Sequence, residues 1–223
     1  MVDELGISVT NAIIGYNRKK PILAVNSFHI NPGDIVAING ASGIGKTTLL
    51  RTLAGLIRPL HGEVSIFGNR KPKRGTVGYI PQRLGLLRHS SVYHNVLLGA
   101  LAGHTKSWFP YLSNSKLMIK SSLELVGISE KIWSPVRELS GGQQRRVAIA
   151  RALVQNPKLI LADEFLAELD DETLSRVMGV VLDFVKENNA IMILVEHNLE
   201  RAKIMANRIF TAKDGTLFET EMR

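Results

Sequence analysis

Short, unbroken apolar runs alternate along this chain with longer stretches in which apolar residues recur every three or four positions. The runs DIVAI (34–38), LILAD (159–163) and AIMILV (190–195) contain almost no polar residue, the pattern of strands buried on both faces of a sheet. Segments of helical period lie between them. One covers 46–57, with Leu49, Leu50, Leu53, Leu56 and Ile57 on one side. A second reaches Gln155, a third is ETLSRVMGVVLDFVKEN (172–188), and a fourth is NLERAKIMA (198–206). Strands alternating with helices predict a largely parallel sheet covered on both faces.

Two regions depart from that rhythm. Near the start, GISVTNAIIGY (6–16) and SFHI (27–30) are β-rich runs, interrupted by NRKKP (17–21) and by the Pro-Gly turn NPGD (31–34). EVSIFG (63–68) and TVGYI (76–80) follow as short strands. From 84 to 139 the character becomes helical. VYHNVLLGALAG (92–103) and SKLMIKSSLELVGI (115–128) are amphipathic, and SWFPYLSN (107–114) reads as the loop between them. Packing within this insertion is the expected role of Trp108, Phe109 and Tyr111. The chain closes with RIFTAKDGTLFE (208–219), a hairpin around Asp214-Gly215, a favoured two-residue turn.

Composition narrows the picture modestly. A chain of 223 residues suits one domain, or one domain with an insertion. It has no cysteine, which excludes disulfides and thiolate metal sites. No run approaches 18 consecutive apolar residues, so none is expected to span a membrane, and MVDELGISV lacks the basic flank and apolar core of a signal peptide. The net charge of +8 suits nucleic acid, anionic lipid or a phosphorylated ligand, or is simply a basic surface. Its densest cluster, RKPKR (70–74), reads as a solvated turn.

Specific chemistry begins at GASGIGKT (40–47), which fulfils G-x-x-x-x-G-K-[ST] between a buried strand and a helix. Gly40, Gly43 and Gly45 let the backbone curl so that N–H groups face phosphate oxygens. The expected nucleotide contacts run through Ala41, Ser42, Ile44, Lys46, Thr47 and Thr48, with Lys46 on the β and γ phosphates and Thr47 on Mg²⁺. Asp163 ends the strand of LILADE (159–164), where ligands bind in open α/β sheets, and is the expected Mg²⁺ partner. Glu164 beside it is placed to act as general base on water. The fold expected is therefore α/β: a P-loop NTPase (RecA-like) core with an N-terminal antiparallel β subdomain (1–83 and 140–223 together) and a helical insertion subdomain (84–139).

ELSGGQQRRVAIARAL (138–153) poses a puzzle. It starts a helix with two glycines, each costing about 1 kcal/mol relative to alanine inside a helix. Yet Ser140 is a good N-cap, and Gln143 three residues on completes a capping box. A well-capped helix start stripped of side chains at Gly141 and Gly142 reads as a second anion site.

These residues carry a family resemblance. LSGGQ (139–143) resembles the signature sequence of ATP-binding-cassette (ABC) ATPases, and the family's other elements occur in order over essentially the whole chain. Gln82 in YIPQ fits the Q-loop, LILADE the Walker B strand and catalytic glutamate, Leu169-Asp170 the end of the D-loop, and His197 in LVEHN the switch histidine. Tyr16 stands 30 residues before Lys46, as an aromatic that stacks on adenine does in the family; the alternative is an exposed strand tyrosine. The resemblance implies that two cassettes, a homodimer or a pair with a relative, close head to tail on ATP and Mg²⁺. Ser140, Gly141, Gly142 and Gln143 would then face the γ-phosphate of the partner's nucleotide, Gln82 would reach Mg²⁺ and water, and His197 would reach the γ-phosphate. Two departures stand out. Phe165 follows the glutamate where the family usually has proline, and Ala167-Glu168 stands where the D-loop usually begins with serine.

A single cassette without membrane helices implies separate integral permease subunits, a substrate-binding protein and a peripheral position on the cytoplasmic face of the cell membrane. SVYHNVLLGALAGHTKSWFPYLS (91–113) resembles the corresponding region of phosphonate-type importer ATPases. Two other readings are a lipoprotein-release or cell-division type cassette and a soluble ABC ATPase acting on DNA or ribosomes. The insertion is too short for the coiled coil that soluble members usually carry, so nucleic acid is not the expected partner.

Overall fold

The computed structural model describes residues 6–103 and 111–220. Five strands form the parallel heart of the protein: β3 (Ile35–Gly40), β5 (Val77–Ile80), β6 (Leu159–Asp163), β7 (Ile191–Val195) and β8 (Arg208–Lys213). They pair in the order β8-β3-β7-β6-β5, all parallel. Every residue of β6 and β7 is buried, which is why these strands read as unbroken apolar runs. The carboxyl ends of β3, β5, β6 and β7 share one edge of the sheet, and the segments leaving that edge carry the candidate chemistry.

The antiparallel part is continuous with this sheet. β1 (Ile7–Ile14) lies between β2 (Leu23–Ile30) and β4 (His61–Ile66), antiparallel to both. β9 (Thr216–Thr220) pairs antiparallel with β8 and parallel with β2, through Ala24–Thr216 and Val25–Leu217. The hairpin expected at Asp214-Gly215 is thus the bridge between the two parts, and both turn residues have positive φ, 50° and 72°. The strand read at 27–30 extends back to Leu23, where Leu23 and Val25 are buried and pair with β1, although the alternation slips at Asn26-Ser27, both exposed.

Two apolar cores flank the sheet. On one side Leu49, Leu50 and Leu53 of α1 (Lys46–Leu53) pack with Ile7, Val9, Phe28, Ile38, Leu161 and Ile193. On the other lie α2 (Val92–Gly103), α3 (Tyr111–Leu125), α4 (Gly141–Leu153), α5 (Asp171–Glu187) and the short α6 (Leu199–Met205). Helix α1 stops at Leu53 rather than at 57: Gly55 turns left-handed at φ 72°, and Leu56 is left 67% exposed. Helix α4 likewise stops at Leu153, short of Gln155. Helix α3 begins at Tyr111, inside the expected loop 107–114, and residues 107–110 lie outside the described residues. The side chains of Trp108, Phe109 and Tyr111 lie outside the described residues.

Helix α2 approaches α4 and the turn that follows it closely enough to exclude side chains at two positions one turn apart. A Cβ at Gly99 would sit 2.1 Å from the Arg151 carbonyl oxygen, and one at Gly103 would sit 2.2 Å from that of Gln155. The Gly99→Ala variant is therefore expected to lose about 2 kcal/mol by overpacking. A urea melt should show a lower midpoint at unchanged slope.

Candidate nucleotide site

The loop between β3 and α1 is shaped by backbone that only glycine adopts freely. Gly40, Gly43 and Gly45 have φ of 143°, 79° and 111°. Gly45 also lies against the β1–β2 connection, where a Cβ would come 2.6 Å from Ile22. Ala41, Ser42 and Gly43 are exposed at the tip, Ile44 is half-buried, and Lys46 and Thr48 are buried at the start of α1. The Lys46 ammonium arches back over the loop, donating to the carbonyls of Gly40 at 2.6 Å and Ala41 at 2.8 Å. Its burial lowers its pKa, and the nearby carboxylates of Glu164 and Asp163 oppose that shift. The glycine-shaped loop thus closes on a lysine tip at the start of α1, a form suited to phosphate.

Asp163 and Glu164 leave β6 in different directions. Asp163 is 1% exposed and accepts a hydrogen bond from the Thr47 hydroxyl at 2.7 Å. Burial holds its carboxyl above the ordinary range. The Thr47 hydrogen bond works against that, Glu164 adds to it, and Lys46 opposes it. At Glu164 the backbone turns left-handed, φ 51°. This turns its carboxylate toward the loops after β5 and β7. Gln82 donates from Nε2 to Oε2 at 3.1 Å, and His197 Nε2 lies 2.8 Å from Oε1. Gln82, Glu164 and His197, far apart in sequence, therefore meet at one carboxylate.

Helix α4 begins as expected. The Ser140 hydroxyl accepts from Gln143 N–H at 3.2 Å, and the Gln143 side chain accepts from Ser140 N–H at 3.0 Å, a closed capping box. Gly142, however, also has a partner within the chain, and Gly141 leaves room there for a side chain. A Cβ at Gly141 would meet the Glu168 carboxylate at 2.1 Å, and one at Gly142 would meet the Glu168 carbonyl oxygen at 2.9 Å. Glu168, itself left-handed at φ 62°, lies across the first turn of α4. Between α4 and the start of α5 is a cavity of about 270 Å³, lined by Ser140, Gly141, Gly142, Gln143, Glu168 and Asp170 among others. Asp170 caps α5 by accepting from Thr173 N–H at 2.9 Å.

Tyr16 leaves β1 and is 60% exposed, its hydroxyl accepting from Arg51 of α1 at 2.9 Å. That hydrogen bond raises the Arg51 pKa and fixes the phenol ring relative to the phosphate loop. The basic run 70–74 stays on the surface, where Arg70 pairs with Glu63 at 3.5 Å.

A family profile described as ABC transporter matches residues 23–167. The chain belongs to the ABC transporter family. A phosphonates import ATP-binding protein of Nostoc sp. is 40% identical over 201 residues, 86% of this chain and 77% of the relative. Another, from Cupriavidus metallidurans, is 36% identical over 222 residues, 95% of this chain and 80% of its own length. A solved dimeric ATP-binding cassette in a post-hydrolysis state, bound to ADP and phosphate, superposes with a TM-score of 0.85 at 27% identity, covering 97% of this chain and 99% of that one. A dimeric bacterial ABC transporter cassette gives a TM-score of 0.84 at 28% identity, with the same coverage.

The ABC cassette carries two contacts that sequence reasoning missed: Arg51 on Tyr16, and Arg145 of α4 on the turn after Glu164. Neither partner is close in sequence. The unusual Glu168 was the one signal that could have pointed to Arg145. Asp163 supplies a test of the site's electrostatics. Burial disfavours its charged form, so ionised Asp163 costs stability above its raised pKa and costs none below the ordinary value near 3.8. Asp163→Asn should therefore melt at a higher temperature than the parent at neutral pH in chelator-containing buffer. The gap should close as the pH falls toward that ordinary value.

Proposed function

We propose that this cassette is the ATP-hydrolysing subunit of an importer for phosphonate or a related oxyanion, working as a head-to-tail pair on separate membrane permeases. The observation that carries the reading is the Glu164 carboxylate, held on both oxygens by Gln82 and His197 beside the Thr47–Asp163 pair. In this role Lys46 and the loop from Gly40 to Thr48 bind the phosphates, and Tyr16 stacks on adenine. Glu164 takes a proton from the attacking water, and its two partners keep the carboxylate aimed. His197 also contacts the γ-phosphate.

The Thr47 hydroxyl, the Asp163 carboxylate and the amide oxygen of Gln82 form an all-oxygen set, which suits a hard cation such as Mg²⁺. When bound there, Mg²⁺ supplies neutralisation of phosphate charge. Ser140, Gly141, Gly142 and Gln143 face the nucleotide of the second cassette, as the first turn of α4 suits an anion. Among the described residues no helix is long and apolar enough to cross a membrane. The reading accordingly assigns the pore to permease chains, delivery to a substrate-binding protein, and this chain to the cytoplasmic face. Relatives named for phosphonate import, at 35% to 40% identity, support the substrate class.

One experiment tests both parts. The chain is co-expressed with its permease and binding protein, reconstituted in liposomes and assayed for ATP hydrolysis with and without methylphosphonate. The parent should be stimulated by the phosphonate. Glu164→Gln should bind ATP but hydrolyse it about 10²- to 10³-fold more slowly. An unchanged rate in Glu164→Gln removes Glu164 as the base. A parent rate indifferent to phosphonates removes the substrate assignment.

A further inference from the structure

Arg145 lies on α4, one turn into the helix, yet its side chain is only 5% exposed. Its Nη1 donates to the backbone carbonyl of Glu164 at 2.8 Å, and its Nη2 lies 3.5 Å from the Glu168 carboxylate. One buried guanidinium therefore grips both ends of the turn 164–168. Those ends are the two residues of the turn with left-handed backbone, φ 51° and 62°. Such backbone is unfavourable for side-chain-bearing residues and persists only where surroundings hold it. A planar fork with fixed donor directions suits that task, and a lysine would not replace it.

The other side of the grip is built from absence of side chains. The Glu168 carbonyl fits because Gly142 has no Cβ, and the Glu168 carboxylate occupies the space left beside Gly141. The first turn of α4 and the turn after Glu164 are thus fitted to each other within one chain.

We propose that Arg145 and Glu168 form a positioning pair for Glu164. The pair fixes the left-handed peptide that turns the Glu164 carboxylate toward Gln82 and His197. It also ties that carboxylate to the helix start that meets the partner's nucleotide. This rests on the reading of Glu164 as the base. Neither residue belongs to the phosphate loop, which carries nucleotide binding within the chain.

The test is steady-state ATP hydrolysis by the full chain, varying ATP, for Arg145→Gln, Glu168→Gln, the double variant and Glu164→Gln, with a thermal melt of each. Arg145→Gln should lower kcat about tenfold or more while KM for ATP stays within about twofold. Glu168→Gln, a largely exposed change that leaves the fold intact, should lower kcat about threefold with the same KM. In the double variant the second change should add nothing to Arg145→Gln, because the two act as one unit. The pair is overturned if Glu168→Gln keeps the parent kcat, if the two losses multiply, or if kcat falls only in step with the melting temperature. Glu164→Gln separates this failure from that of the underlying reading. A parent-like rate there removes the base itself. An inactive Glu164→Gln beside a fully active Glu168→Gln removes only the pair.

Discussion

Two adjacent carboxylates at the end of a strand buried on both faces must each be satisfied, and the rest of the site follows from how that is done. Asp163 stays in register with β6, so it is buried and takes the Thr47 hydroxyl as partner. Glu164 cannot be buried beside it, because two ionised groups that close repel one another in a medium of low dielectric. The left-handed backbone at Glu164 swings its side chain out to Gln82 and His197. One carboxylate is thereby tied to the start of α1, and the other to the loops after β5 and β7.

This arrangement gives the start of α4 a meaning beyond its cap. Gly142 leaves space for the backbone of the chain's own Glu168, Gly141 leaves space that its carboxylate occupies, and Arg145 from the same helix holds the peptide of Glu164. The helix start read as an anion site and the carboxylate read as the base are thus parts of one packed unit. If a second cassette presents its nucleotide to that helix, a shift of its first turn acts directly on Glu164.

Much of this was legible in the sequence because it is local. Runs such as LILAD and IMILV announce buried strands, the loop from Gly40 to Thr47 carries its own spacing, and Ser140 with Gln143 spells its capping box. The turn at Asp214-Gly215 likewise needs no distant partner. What was not legible depends on contacts between remote segments. Helical period alone carried α1 to Ile57, although Gly55 ends it and Leu56 faces solvent. The double glycine reads as clearance for a phosphate, whereas Glu168 packs against it through a contact between α4 and the turn 164–168 that sequence spacing does not announce. Arg51 and Arg145 each look like an ordinary helix-surface arginine until Tyr16 and Glu164 are brought against them.

The central claim is that the bare first turn of α4 completes a nucleotide site on another copy of the chain. Mixing a Lys46→Ala chain with a Ser140→Arg chain tests this most directly. Lys46→Ala removes phosphate binding, and Ser140→Arg blocks the helix start, so neither alone should hydrolyse ATP. In the mixture, one composite site draws its phosphate loop from the Ser140→Arg chain and its helix start from the Lys46→Ala chain, and hydrolysis should return. No recovery from two well-folded partners would contradict the shared site.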